Sequence, residues 1–249
     1  MTVVAVSSAR GAPGATTVSV AAVAAWPAGR RVRLIEADPA GGVLATRFGL
    51  SETVGTTTLA AAVRRTSRVA VLDEHSQPLP GDGGVSAVVA PASTEQATAG
   101  VAVLATRLPP LVDSDRAGDT IVDCGRLFPG SPARQLAESA DVALVVTAAS
   151  AEALTGLQPV VADLASSAAA VQVVLVGTDP YRPDDAAAFL GVPVAAVAWD
   201  ARAAAALAGR RSARSLPRSL LVRSVRSLVD QLLATRPAHP STPEPEVAS

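Results

Sequence analysis

At 249 residues, with 49% hydrophobic and 17% charged side chains, the chain can bury a sizeable core and is bounded to one domain, or one domain with a tail. Its formal net charge of −1 excludes bulk electrostatic attraction to nucleic acid or an anionic membrane, so binding of that kind needs a local patch. The single cysteine, Cys124, excludes an internal disulfide, and two separated histidines, His75 and His239, lack metal-site spacing.

The apolar run from Val3 to Val6 predicts a strand. It ends in a small-residue loop containing Gly11 and Gly14, and the loop opens into an Ala/Val-rich helix from Thr16 to Ala25 that Trp26-Pro27-Ala28-Gly29 stops. Such a turn aims backbone N–H groups and the positive end of a helix dipole at one point, a setting for an anion. All 21 basic residues are arginine, so no lysine is present in this loop or elsewhere. The chain enters its first strand with no basic leader, and no apolar run reaches transmembrane length; the expectation is a cytoplasmic protein.

Val32 to Glu36 predicts a second strand, followed by the turn sequence Ala37-Asp38-Pro39-Ala40-Gly41-Gly42. A helix is expected from Thr57 to Arg65, and Leu72 to Gly84 reads as a polar loop without an assigned element. Val85 to Ala90 predicts a buried strand, then a helix from Thr94 to Leu108 that Pro109-Pro110 should end. Asp119 to Asp123 predicts a strand that closes on an acid, with Cys124 and Gly125 after it. Beyond it the strand–helix unit repeats: strands Asp141 to Thr147, Val171 to Gly177 and Val192 to Val197, with helices Ala151 to Ser166, Pro183 to Leu190 and Ala201 to Leu207. Continuous apolar strands predict a parallel sheet covered on both faces, an α/β three-layer, doubly wound arrangement with all strand C-termini along one edge.

The last predicted helix, Arg214 to Ala234, puts Leu216, Leu220, Leu221, Val225, Leu228, Val229 and Leu232 on one face and Arg218, Arg223 and Arg226 largely on another. Its apolar face either packs on the domain, the reading preferred here, or lies on an anionic membrane. The chain divides into a domain over 1–234 and a Pro-rich tail over 235–249, expected to be disordered.

Three motifs in order carry a resemblance. Arg10-Gly11-Ala12-Pro13-Gly14-Ala15-Thr16-Thr17 is similar to the deviant Walker A of the ParA/MinD family, written KGGxGKTT. Ala37 to Gly42 resembles the family's D-x-D-P-x-G segment with Glu36 at the first aspartate, and Asp119 to Gly125 resembles its Walker B. The resemblance spans about residues 3–207 and implies a SIMIBI-class P-loop NTPase fold. It also implies ATP or ADP with Mg2+ in the loop from Arg10 to Thr17, Thr16 and Asp123 in the metal shell, and Asp38 near the attacking water. A homodimer, with Arg10 at the position that reaches across it, is implied as well.

The loop departs from the family at three places: Ala12 replaces glycine, Arg10 replaces the first lysine, and Ala15 replaces the lysine that grips phosphate. A charge-assisted hydrogen bond contributes on the order of 1.5–3 kcal/mol, so the Ala15 change predicts nucleotide binding weaker by roughly tenfold to over a hundredfold. The expectation is a degenerate site and a positioning or scaffold protein with slow or absent hydrolysis. It resembles the TadZ/CpaE branch that localises pilus or secretion machinery through protein partners. The alternative is an active partitioning or septum- or chromosome-positioning ATPase that dimerises on ATP, with Arg10 standing in for the lysine. A third reading is a pure interaction module. Specific DNA binding is not expected. Membrane binding, if any, falls to helix 214–234, as MinD proteins end in such a helix. Gly177 to Pro180 and Trp199-Asp200 occupy the positions of base-contacting loops, but Gly177 replaces a common asparagine.

Overall fold

The computed structural model describes residues 1–10, 14–80, 84–115, 118–209 and 216–235. At its centre lies β1 (Val3–Ser8), buried along its whole length, between β5 (Asp119–Arg126) and β6 (Val142–Ala148). The full sheet order is β3 (Gln77–Pro78), β4 (Ser86–Val88), β2 (Val32–Glu36), β5, β1, β6, β7 (Val171–Val176) and β8 (Val194–Val197). Every pairing is parallel except that of β3 with β4. A strand covered on both faces has no solvent side to mark with polar residues, which is why these strands read as unbroken apolar runs.

Successive side chains still serve opposite layers. Val4 and Val6 face a layer made of α1 (Ala15–Ala25), α2 (Leu44–Phe48), α9 (Ala201–Leu207) and α10 (Leu220–Ala234). Val3 and Ala5 face α3 (Thr56–Ala62), α4 (Ala70–Glu74), α5 (Thr94–Ser114), α6 (Arg134–Glu138), α7 (Ala151–Ala165) and α8 (Pro183–Leu190). The three-layer, doubly wound arrangement expected from the sequence is therefore the one observed. α1 is sandwiched between the sheet and α10 and is buried almost all round, which accounts for its run of alanine, serine and valine.

Some boundaries differ from expectation. α5 continues through Pro109 and Pro110 to Ser114. The two prolines remove backbone donors, but Leu108, Leu111 and Val112 are buried on the same face, and their packing holds the last turn in place. The segment read as an unassigned loop, Leu72 to Gly84, contains the end of α4 and the short edge strand β3. Among its described residues Leu72 is buried and Leu79 packs partly on the core, too few apolar anchors to show a period. α3 begins at Thr56 and stops at Ala62, short of Arg65.

The final helix starts at Leu220, six residues after the expected Arg214, which itself lies outside the described residues. A 3-10 turn over Leu216–Arg218 precedes it, and the Ser219 hydroxyl caps it by accepting from the Val222 N–H at 3.2 Å. Leu221, Val222, Val225, Leu228, Val229 and Leu232 are all buried against the α1 side of the sheet. The helix packs on the domain, so its apolar face is not free to lie on a membrane; Arg218, Arg223 and Arg226 remain exposed. Among the described residues no helix is long and apolar enough to cross a membrane. Thr235 closes α10, and residues 236–249 of the expected tail lie outside the described residues.

Candidate functional site

The three sequence motifs meet where β1, β2 and β5 end. Register places Asp123 beside Val6 on one side and Glu36 on the other. Asp123 is fully buried, on the α1 side of the sheet. Its Oδ1 accepts the Gly125 N–H at 3.2 Å, and the Thr16 hydroxyl, from the first turn of α1, bonds to the same carboxyl group. The other oxygen, Oδ2, is buried without a hydrogen-bond partner. Burial pushes the Asp123 carboxyl up to about 7, and the neighbouring Glu36 and Asp38 charges push the same way, against the bonds from Thr16 and Gly125.

Asp38 arrives from the turn after β2. The Ala37 N–H donates to the Asp123 carbonyl at 2.7 Å, fixing the turn to the end of β5, and Asp38 Oδ1 accepts the Ala40 N–H at 2.8 Å. The Asp38 carboxyl packs directly on Gly125, where a Cβ would overlap it; Gly125 also has φ +59°, in the left-handed region that favours glycine. The glycine two residues after the Walker B-like acid is thus required for space and for backbone conformation at once. Burial raises the Asp38 pKa, opposed by the Ala40 hydrogen bond.

Glu36, which stands where the resemblance has its first aspartate, serves the backbone. Oε1 accepts from Val43 and Leu44 N–H at 2.6 and 3.0 Å, and Oε2 accepts from Ala90 N–H at 2.9 Å. One carboxylate joins the start of α2 to the chain leaving β4. Desolvation raises its pKa, partly offset by these three bonds and by Arg47. Sequence reasoning missed this clamp, because nothing local pairs Glu36 with Ala90.

Of the loop expected to cradle phosphate, Gly11, Ala12 and Pro13 lie outside the described residues. Gly14 takes a left-handed conformation at φ +93° and precedes α1, and no side chain caps that helix. The first-turn N–H groups are therefore left to whatever faces the loop. Ala15 is the first helical residue and is buried, contributing no charge. Thr16 turns to Asp123, while Thr17 and Gly14 border a cavity of about 200 Å³ whose far side is Trp199. A wider recess of about 770 Å³ adjoins it, bounded by Ser150, Gly177, Thr178, Asp179 and Trp199. Trp199 is 72% exposed.

The Arg10 guanidinium lies against Gly156 of α7, where a Cβ would overlap it, on the layer opposite α1. The arrangement brings together Asp38, Asp123, Thr16 and the uncapped start of α1; it brings no arginine or lysine to them among the described residues. Sequence reasoning also passed over Arg126 and Phe128, exposed at the end of β5 beside Arg10.

The donor set suits a small hard cation in part. Thr16 and the unpartnered Asp123 oxygen are oxygen ligands of the sort Mg2+ takes. Among the described residues no group of three or more His, Cys, Asp or Glu is arranged to hold a metal. Mg2+ here would thus complete its shell with water and phosphate oxygens, and the described part of the loop lacks the side-chain cation that would hold the phosphate.

Comparison of the whole chain with solved structures gives matches along nearly its full length. A ParA family ATPase from Chlorobium tepidum has 18% identity and a TM-score of 0.73, over 93% of this chain and 98% of that one. The cell division ATPase MinD of Pyrococcus furiosus has 21% identity and a TM-score of 0.73, over 94% and 99%. The septum site-determining protein MinD from Pyrococcus horikoshii, solved with Mg-ADP, has 19% identity and a TM-score of 0.72, over 94% and 97%. No protein-family model matches the chain, and neither does any curated sequence. At these identities the likeness establishes the fold, that of the MinD/ParA P-loop NTPases.

Proposed function

We propose that this chain is a positioning or scaffold protein built on the MinD/ParA fold, with a nucleotide site too degenerate to run an ATPase cycle. The observation that carries the reading is that, among the described residues, no side-chain cation stands at the phosphate loop: Ala15 opens α1, and Arg10 rests on Gly156 of α7. Backbone N–H groups and the Thr16 hydroxyl still favour an anion and a metal, but among the described residues no arginine stands beside them to offset charge developing on a transferring phosphoryl group. The protein would then work through what it binds. By its altered loop it resembles the TadZ/CpaE branch, which places pilus or secretion machinery, and the proposal extends to that role and to a homodimer.

A second reading is favoured by one observation. Asp38, Asp123 and Thr16 converge as an active ATPase would need them, and Asp123 Oδ2 is left without a partner, as a metal-facing oxygen would be. In that reading the chain is a partitioning or septum- or chromosome-positioning ATPase that dimerises on ATP, with Arg10 swinging from Gly156 to the phosphates.

Isothermal titration with ATP and ADP in Mg2+ separates the two. The scaffold reading expects no saturable binding up to millimolar nucleotide, and a gain of tenfold or more on Ala15→Lys only if the rest of the cradle is intact. Micromolar binding by the unaltered chain, abolished in Asp123→Asn, overturns it.

A further inference from the structure

Between α7 and the segment leaving β5 lies a cleft of about 490 Å³, on the layer opposite α1 and α10. Its floor is apolar, formed by Leu127, Leu164 and Val160, the first two buried. Phe128 stands at its rim, 45% exposed. Three arginines line it, and they are not equivalent. Arg134 is neutralised by Glu138, at 2.6 Å, and by Asp163. Arg10 and Arg126 are exposed and have no hydrogen-bond or ion-pair partner among the described residues.

An exposed aromatic ring beside two unpaired guanidiniums over an apolar floor is an unusual surface for a chain with formal net charge −1. The volume fits one or two side chains rather than an extended polymer. The flanking Asp163 and Glu138 interrupt the positive potential, so the surface is no basic stripe of the kind that tracks a nucleic acid backbone. Arginine forks match carboxylates in planar, bidentate geometry. A chain segment with acidic residues either side of a leucine or phenylalanine would satisfy both guanidiniums and cover Phe128 and the floor together.

We infer that this cleft is a docking site for an acidic, apolar-centred peptide segment of a protein partner, with Arg10 and Arg126 gripping its carboxylates and Phe128 covering its apolar side chain. In this chain Arg10 is thereby a partner-binding residue, held in place by the missing side chain of Gly156. The inference rests on the scaffold reading only in taking a protein as occupant. The cleft is lined by neither Gly14 nor Thr17, so saturable ATP binding that leaves the Arg10 side-chain signal unmoved would defeat that reading and leave this one standing, whereas ATP binding that draws Arg10 to the phosphates would defeat both.

The test is an NMR titration of the isotope-labelled full chain with an equimolar pool of blocked tetrapeptides Glu-X-X-Glu, where X is Leu or Phe. The Arg10 and Arg126 side-chain N–H signals and the Phe128 ring should move together and saturate below a millimolar. The double variant Arg10→Gln/Arg126→Gln, at two exposed positions that leave the fold intact, should bind about tenfold or more weakly. The control Arg223→Gln/Arg226→Gln, on α10, should bind as the unaltered chain does. Absence of shifts, shifts scattered over the surface, or binding that survives the double variant would overturn the proposal. So would equal shifts with inorganic phosphate or duplex DNA at matched ionic strength, which would mark a plain anion site.

Discussion

At Glu36 one buried carboxylate accepts three backbone N–H groups from two separate segments. Glu36→Ala would leave the buried Leu44 and Ala90 donors unpaired, at about 1–3 kcal/mol each before relaxation, while the N–H of exposed Val43 can turn to water, so a net loss of about 2–4 kcal/mol is expected in urea unfolding. Glu36→Gln keeps the length but gives up one acceptor and should fall between. Asp123 governs a different variable. Its pKa is raised to about 7 in the folded protein from an ordinary 3.8. Between those values the folded state holds a proton that the unfolded chain has released, so stability falls as pH rises through the window and levels off above it. In metal-free protein the fall from about pH 5 to pH 8 should be on the order of 2–3 kcal/mol, and most of it should vanish in Asp123→Asn. Glu36 and Asp38 are shifted in the same direction and leave a residual slope.

Among the elements, α10 separates two roles that its sequence superimposes. Because its apolar face is buried against the α1 layer, Leu228→Ala should destabilise the fold by about 2–5 kcal/mol. Neutralising exposed Arg223 and Arg226 should change stability by less than about 0.5 kcal/mol. Co-sedimentation with anionic vesicles should leave the unaltered chain and its Arg218/Arg223/Arg226-neutralised form equally in the supernatant; pelleting that depends on these arginines would show that the helix leaves the core. α5 teaches the same lesson through Pro109 and Pro110, two local breakers overridden by buried Leu111 and Val112.

For the molecule as a whole, a fold kept as a scaffold has no need of ligand for its stability. A ligand bound with a Kd near 10 µM and supplied at about 1 mM would add about 2.7 kcal/mol and raise the unfolding midpoint of a chain this size by roughly 5–10 °C. Millimolar Mg-ATP is expected to move it by less than about 1 °C. A larger shift, lost in Asp123→Asn, would favour the active ATPase.

What the sequence determined by itself was periodic or punctuated: the apolar runs of β1, β2, β5, β6 and β7, the helices Pro183–Leu190 and Ala201–Leu207 to the residue, and hence the doubly wound sheet. Order along the chain then fixed that Asp38, Asp123 and Thr16 would share an edge, because right-handed crossovers leave every parallel strand ending on the same side. Tertiary structure alone decided what depends on contacts between segments distant in sequence. It gave Glu36 to the backbone at Ala90, stood Asp38 against Gly125, laid α10 on α1, and turned Arg10 onto Gly156. Each is settled by which surface excludes water or which donor is left without a partner, and neither quantity exists until the layers have closed over one another.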